Sequence, residues 1–230
     1  MTPPLRIISS MATQALLAEL AALFTARHGP AIHIESVGGV DAAQRVQAGE
    51  AFDGVVLASD AIDRLIAGGH IVAASRVDLV RSGVAVAVRL GAVRPDIGSE
   101  AALRAAVLAA PTISCSTGPS GVQLAKLFER WGIADQIKNR MVQAKPGVPV
   151  GWLVAEGQAA LGFQQLSEMM SLPGIDVLGP LPDAVQIVTT FSAGLGIAAS
   201  QAEATQAWFD FMASPAAADV KRRQGMAPAL

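Results

Sequence analysis

Four short runs rich in hydroxyls and glycine carry the chemistry available to this sequence. They are Ser9-Ser10-Met11, Ser36-Val37-Gly38-Gly39-Val40, Ser59-Asp60 and Ser116-Thr117-Gly118-Pro119-Ser120-Gly121. Each follows an apolar, strand-like run and precedes a helical pattern. A helix N-terminus offers unpaired N–H groups and partial positive charge, serine adds a hydroxyl donor, and glycine lets the backbone approach a ligand. Taken singly, any one of these runs is a helix cap or a turn. Four of them at strand–helix junctions read as a site for a small dehydrated anion. The candidate contacts are Ser9, Ser10, Met11, Gly38, Gly39, Val40, Ser59, Ser116, Thr117, Ser120 and Gly121.

A multiply charged anion also calls for a cation. Arg81-Ser82 supplies one, with a solvated surface pair as the competing reading. Gln164-Gln165, at a strand end, offers side-chain amides to a ligand, or else caps a helix. Val150, in the Pro/Gly-bearing stretch 143–151, completes the set. No residue stands out as catalytic. Asp41, Asp60, Glu156, Glu168 and Lys145 are all available as bases, and nothing in the sequence chooses among them.

Several chemistries are excluded or disfavoured. Ser116 to Gly121 lacks the Gly-Lys-Ser/Thr of a phosphate-binding P-loop. His28, His33 and His70 are scattered without metal-ligand spacing, and there is no convincing Ser–His–Asp arrangement. Cys115 is the single cysteine, so no disulfide forms within the chain. Its apolar run, Pro111 to Cys115, reads as a buried strand. No cofactor and no metal are expected. A formal net charge of −2 gives no field for nucleic acid or an anionic membrane. Lys221-Arg222-Arg223 reads as the charged last turn of a helix. Trp131, Trp152 and Trp208 read as core residues, with Trp152 also able to face a ligand.

The elements that must position these loops follow from periodicity. With 52% hydrophobic and 16% charged residues, 230 residues make a globular fold with a sizeable core. Leu5 to Ile8 is a short strand. Leu16, Leu17, Leu20, Leu23 and Phe24 fall at helical spacing within a helix from Met11 to His28, stopped by Gly29-Pro30. Ile32 to Val37 alternates like a strand, Val40 to Ala48 is a helix, Gly54 to Ala58 a buried strand, and Ala61 to Ala67 a helix. This rhythm means βαβ units around a mainly parallel sheet. Leu79-Val80 leads to the β-branched run Gly83 to Val88. Ser99 caps a helix to Ala110. The strand Thr112 to Ser114 precedes a helix from Val122 to Trp131. Ala159 to Phe163 and Ile175 to Leu178 are further strands, Gln186 to Phe191 carries the chain back, and helices at Gln201–Met212 and Ala216–Arg223 close it. The expected division is residues 1–82 with 190–230 as one lobe and 83–189 as the other, with the ligand cleft between them.

These residues resemble a known superfamily. Ile7-Ile8-Ser9-Ser10-Met11-Ala12, Gly38-Gly39 and the run Phe52 to Asp60 resemble the first-lobe loops of molybdate-type periplasmic receptors. The second half lacks their Asp-Pro motif, and the chain has no tyrosine at all. Gly83 to Ala92 with Pro95-Asp96-Ile97, and Gly162-Phe163-Gln164-Gln165-Leu166-Ser167-Glu168, are instead similar to the branch of the superfamily that includes aconitate isomerase. The resemblance implies an α/β, two-lobed type II periplasmic-binding-protein-like fold. It also implies a small anionic ligand, foremost an organic di- or tricarboxylate. A monomer is expected. An isomerase of an unsaturated carboxylate is the alternative, and a molybdate or oxyanion receptor of an ABC transporter is a third reading. Met1-Thr2-Pro3-Pro4 runs straight into the first strand without a secretory pattern. The expected compartment is therefore the cytoplasm, or the periplasm with an ABC permease as partner if a signal has been trimmed or the start mis-assigned. No nucleic acid and no membrane insertion are expected.

Overall fold

Leu5, Ile7 and Ile8 are almost wholly removed from solvent, and they anchor strand β1 (Leu5–Ser10) in the core. The computed structural model describes residues 3–28, 30–144 and 147–229. The chain divides into two compact units, Met1–Arg81 with Thr190–Leu230, and Ser82–Thr189.

In the first unit, a 3-10 turn at Met11–Thr13 separates β1 from α1 (Gln14–His28). The helical spacing alone extends the helix back to Met11. The tighter turn arises where the Thr13 hydroxyl donates to the Ser10 carbonyl at 3.1 Å. Leu16, Leu17, Leu20 and Phe24 face the core, while Leu23 lies at the surface. Gly29 lies outside the described residues. There follow β2 (Ile32–Val37), α2 (Gly39–Gln47), β3 (Gly54–Ala58) and α3 (Ser59–Ala67). Strand β1 pairs in parallel with β2 on one side and β3 on the other. A Cβ at Gly54 would stand 2.8 Å from Ile7 Cδ1 and 2.9 Å from the Phe209 ring, so only glycine lets the sheet and the Phe209 side chain approach here.

The two short runs read as Leu79-Val80 and Gly83–Val88 form one strand, β4 (Val77–Arg89), in which the chain passes into the second unit. Gly83 stays within the strand because the Gln186 side chain fills the space beside it, with Nε2 3.2 Å from where a Cβ would lie. Beyond it, Val84, Val86 and Val88 enter one apolar cluster with Leu103, Leu124 and Phe163. Ala85 and Ala87 enter another with Val150, Leu153 and Val154. This is period-two alternation with both faces covered.

The second unit contains α4 (Glu100–Ala109), β5 (Ile113–Cys115), α5 (Pro119–Arg130), α6 (Ala134–Ile137), α7 (Val150–Ala155), β6 (Leu161–Gln165), α8 (Leu166–Met169) and β7 (Ile175–Pro180). The Ser99 side chain caps α4, accepting from the Ala102 N–H at 3.1 Å. Strand β5 is parallel to β6, whereas β4 pairs antiparallel with β6 and β7. Gln164 and Gln165 belong to β6 itself and are buried.

The chain returns through β8 (Val188–Leu195), antiparallel to β3, then α9 (Ala202–Ala213), a 3-10 turn at Pro215–Ala217, α10 (Ala218–Arg223) and β9 (Ala227–Pro228), antiparallel to β4. Parallel pairs join β1 to β2 and β3, and β5 to β6, and an isolated parallel bridge joins Ile113 to Met141. The two strands that carry the chain between the units pair antiparallel with β3, β6, β7 and β9. Lys221, Arg222 and Arg223 form the last turn of α10, as their charge pattern indicates. Of the three, Lys221 is turned inward: it is 2% exposed, and its ammonium donates to the Leu79 carbonyl at 2.8 Å. Helix α10 packs that face inward, with Val220 in the core.

Candidate functional site

Parallel strands end on the same side of a sheet, which gathers the loops that follow them. In the first unit the register Ser9↔Ser36 and Ser9↔Val56 aligns the ends of β1, β2 and β3. Ser9-Ser10-Met11, Gly38-Gly39-Val40 and Ser59 are thereby brought to one edge. Gly38 is the N-cap of α2, Gly39 and Val40 open its first turn, and Ser59 opens α3.

The two neighbouring serines differ. Ser9 Oγ pairs with Ser36 Oγ at 2.8 Å, so that hydroxyl is engaged. Ser10 is 7% exposed, and its Oγ has no hydrogen-bond partner among the described residues. A buried hydroxyl without a partner carries a desolvation cost that a bound acceptor would relieve. The first turn of α2 lies against it, since a Cβ on Gly39 would touch Ser10 Cβ at 3.7 Å. An unengaged hydroxyl beside unpaired helix N–H groups suits an oxyanion or a carboxylate. Arg81 is exposed on β4, opposite Ala227 of β9.

In the second unit, β5 and β6 end on one edge, and the antiparallel register Val84↔Gln165 sets the Ser82–Gly83 part of β4 beside Gln165. With its amide nitrogen towards Ser82, Gln165 donates to Ser82 Oγ at 2.8 Å and accepts from Thr189 Oγ1 at 2.9 Å. Gln165 thus joins β4 to β8 and does not present a free amide. Ser116 Oγ pairs with Ser120 Oγ at 2.9 Å in the loop that opens α5, Thr117 is exposed, and Gly121 lies in the first turn of α5. Val150 opens α7 with its side chain fully buried, so its backbone alone is available to a ligand. Gln164 Oε1 accepts from the Gly151 N–H at 3.3 Å.

The carboxylates named as bases separate here. Asp41 and Glu156 are exposed, and Asp60 pairs with Arg64 at 3.0 Å. Glu168 is half-buried beside β6. Burial pushes its carboxyl up to about 7, against hydrogen bonds from the Gln164 side chain and the Gln165 N–H. Lys145 lies outside the described residues. Cys115 is half-buried, and burial pushes its thiol up to about 12, which disfavours the thiolate form that a nucleophile needs. Trp208 is fully buried, but Trp152 is 44% exposed on α7 and is not a core residue. Its helix is six residues long and turns that side chain outward. Thr189, Gly151 and Ser36 join these networks without having been among the candidate contacts. Their pairings span the chain and leave no local pattern. Among the described residues, no group of three or more His, Cys, Asp or Glu is placed to hold a metal ion, and no helix is long and apolar enough to cross a membrane.

Comparison with known proteins is consistent with this geometry. The chain is 38% identical over 187 residues to an aconitate isomerase of a Pseudomonas species, covering 80% of this chain and 70% of that protein. Its fold matches the periplasmic molybdate-binding protein of Azotobacter vinelandii with a TM-score of 0.80 at 18% identity, over 96% of this chain and 98% of that one. It also matches the substrate-binding domain of a molybdenum ABC transporter protein from Clostridium difficile, with a TM-score of 0.76 at 15% identity over 100% of both chains. The family model for bacterial extracellular solute-binding proteins matches residues 5–227. Its fold is that of the periplasmic binding proteins, and with nearly its whole length matched by the family model, the chain belongs to the bacterial extracellular solute-binding protein family.

Proposed function

We propose that the protein binds a small di- or tricarboxylate and moves a proton on it, as an isomerase of an unsaturated carboxylate. The observation that carries this reading is the 38% identity to an aconitate isomerase across 80% of the chain. The site chemistry supports it. Ser10 Oγ and the start of α2 offer donors to a carboxylate group. Interconverting cis- and trans-aconitate requires removing a proton from a carbon activated by neighbouring carboxylates, and donors stabilise the enolate-like charge that develops.

The test is to incubate purified protein with cis-aconitate and follow the trans isomer by NMR. A thermal-shift screen against aconitate, citrate, sulfate and molybdate accompanies it. Interconversion supports the enzyme. Absence of interconversion with retained aconitate binding removes the isomerase reading. Absence of a shift with every carboxylate and oxyanion removes anion binding altogether.

The family match over residues 5–227 favours a second reading, a solute receptor working with an ABC permease and doing no chemistry. Binding without turnover, a periplasmic location on cell fractionation, and neighbouring permease and ATPase genes would select it. A cytoplasmic location and neighbouring catabolic genes favour the enzyme.

A further inference from the structure

We propose that Glu168 is the acid–base group that carries the proton in this isomerisation, and that Gln164 is the residue that positions it. The inference rests on the isomerase reading and goes on to name the base.

Geometry supports the assignment first. Glu168 is the third residue of α8, which follows directly on β6 at the end of the strand where β5 also terminates and the Ser116–Gly121 loop begins. Gln164 is 5% exposed, and its oxygen is engaged by the Gly151 N–H at 3.3 Å. That bond fixes the amide and turns its NH₂ group towards Glu168. The Gln165 N–H supplies a second donor to the same carboxylate. The group is therefore held in one place by neutral donors. Among the described residues no cation pairs with it, unlike Asp60 with Arg64 at 3.0 Å. Helix α8 packs on β6 and β7, and the charged residue of β7, Asp176, is turned to the Gly91 N–H at 3.2 Å.

A carboxyl used for taking and returning a proton works best when its pKa lies near the working pH. Burial brings Glu168 to about 7. The competing role is purely structural, because a Glu at the third position of a helix commonly accepts the N-cap N–H. That role needs neither the glutamine amide nor the burial, and it predicts no effect on proton exchange.

The step balances without a co-reactant. The Glu168 carboxylate takes a proton from the carbon next to the double bond, and the C–H electron pair spreads into an enolate-like system. The double bond moves by one carbon. The protonated Glu168 then returns the proton to the former alkene carbon.

The experiment compares wild type, E168Q and E168D with trans-aconitate in D₂O. NMR follows isomerisation and C–H/D exchange, and thermal shift follows binding. The expected result is that E168Q still shows an aconitate-induced shift but loses exchange and turnover by roughly 10²–10⁴-fold. Wild-type kcat/KM should rise with pH through about 7, and in E168D that limb should move. An E168Q protein exchanging at the wild-type rate overturns the assignment while leaving the isomerase reading intact. Should E168Q not fold, an unmoved pH limb in E168D overturns it equally. A wild type that binds aconitate but neither exchanges nor isomerises it overturns both.

Discussion

The carbonyl oxygen of Ser116 occupies the space where a side chain on Gly121 would begin. The loop that opens α5 closes on itself there, with the Gly121 N–H donating to Gly118 O at 3.0 Å and the Ser116 and Ser120 hydroxyls paired. The obstacle is backbone, so it cannot rotate away. Gly121→Ala should destabilise the protein by roughly 1–3 kcal/mol, read as a lower midpoint in urea. It should also displace Ser116 and weaken ligand binding. A variant with unchanged midpoint and affinity would show that the loop is not constrained.

Ser10 predicts the opposite combination. Its buried Oγ bonds to nothing among the described residues, so Ser10→Ala removes no interaction within the fold. Stability should stay within about 0.5 kcal/mol of wild type. Aconitate affinity should fall by roughly 5- to 100-fold, the worth of one hydrogen bond to a charged acceptor. Calorimetric titration checks the second figure, and unchanged affinity would remove Ser10 from the site.

Asp53 is the structural carboxylate of the first unit. It is 4% exposed and accepts from the N–H groups of Arg6, Ser200 and Gln201 and from the Ser200 hydroxyl, at 2.8 to 3.1 Å. Burial alone would raise its pKa, but these hydrogen bonds together outweigh it and hold the carboxyl below its usual range. A folded pKa below the unfolded value of about 3.9 adds stability that is present above that pH and is lost as pH falls through the folded value. Asp53→Asn turns an NH₂ towards donors and should cost roughly 1–3 kcal/mol at pH 7. The gap to wild type should narrow in urea melts at pH 3.

Lys221 has the reverse pH sign. Burial lowers its pKa, so between the folded value and the unfolded value of about 10.4 the unfolded chain binds more protons and stability rises with pH. The Leu79 carbonyl that it contacts also accepts from the Ala229 N–H at 3.2 Å, so losing the ammonium does not orphan it. Lys221→Met should therefore equal wild type at pH 7 or exceed it by up to about 2 kcal/mol. That margin should shrink as pH rises to 10. A Lys221→Met protein that is several kcal/mol less stable would mean that the charge has a further partner.

Much of this molecule is local and was legible without coordinates. The apolar run of β1, the Ser99 cap of α4 and the Val/Ala alternation of β4 are each set by a residue and its near neighbours, through backbone preference, capping and periodicity. The serine and glycine loops could be located because a chain that alternates strand and helix leaves such residues at the junctions. The family resemblance travelled with those same short runs.

The tertiary structure decided which of those groups are free to act. Ser9 and Ser10 are indistinguishable in sequence, yet Ser9 is engaged by Ser36, which only the β1–β2 register brings alongside. Gln165 looked like a free amide until β4 and β8 placed Ser82 and Thr189 around it. Glu168 was one of several equivalent acids until Gln164, tied to Gly151, enclosed it. Hydrogen-bond pairing and desolvation depend on atoms distant in sequence. Periodicity reports which face of an element is apolar, and it carries no information about which polar group stands opposite.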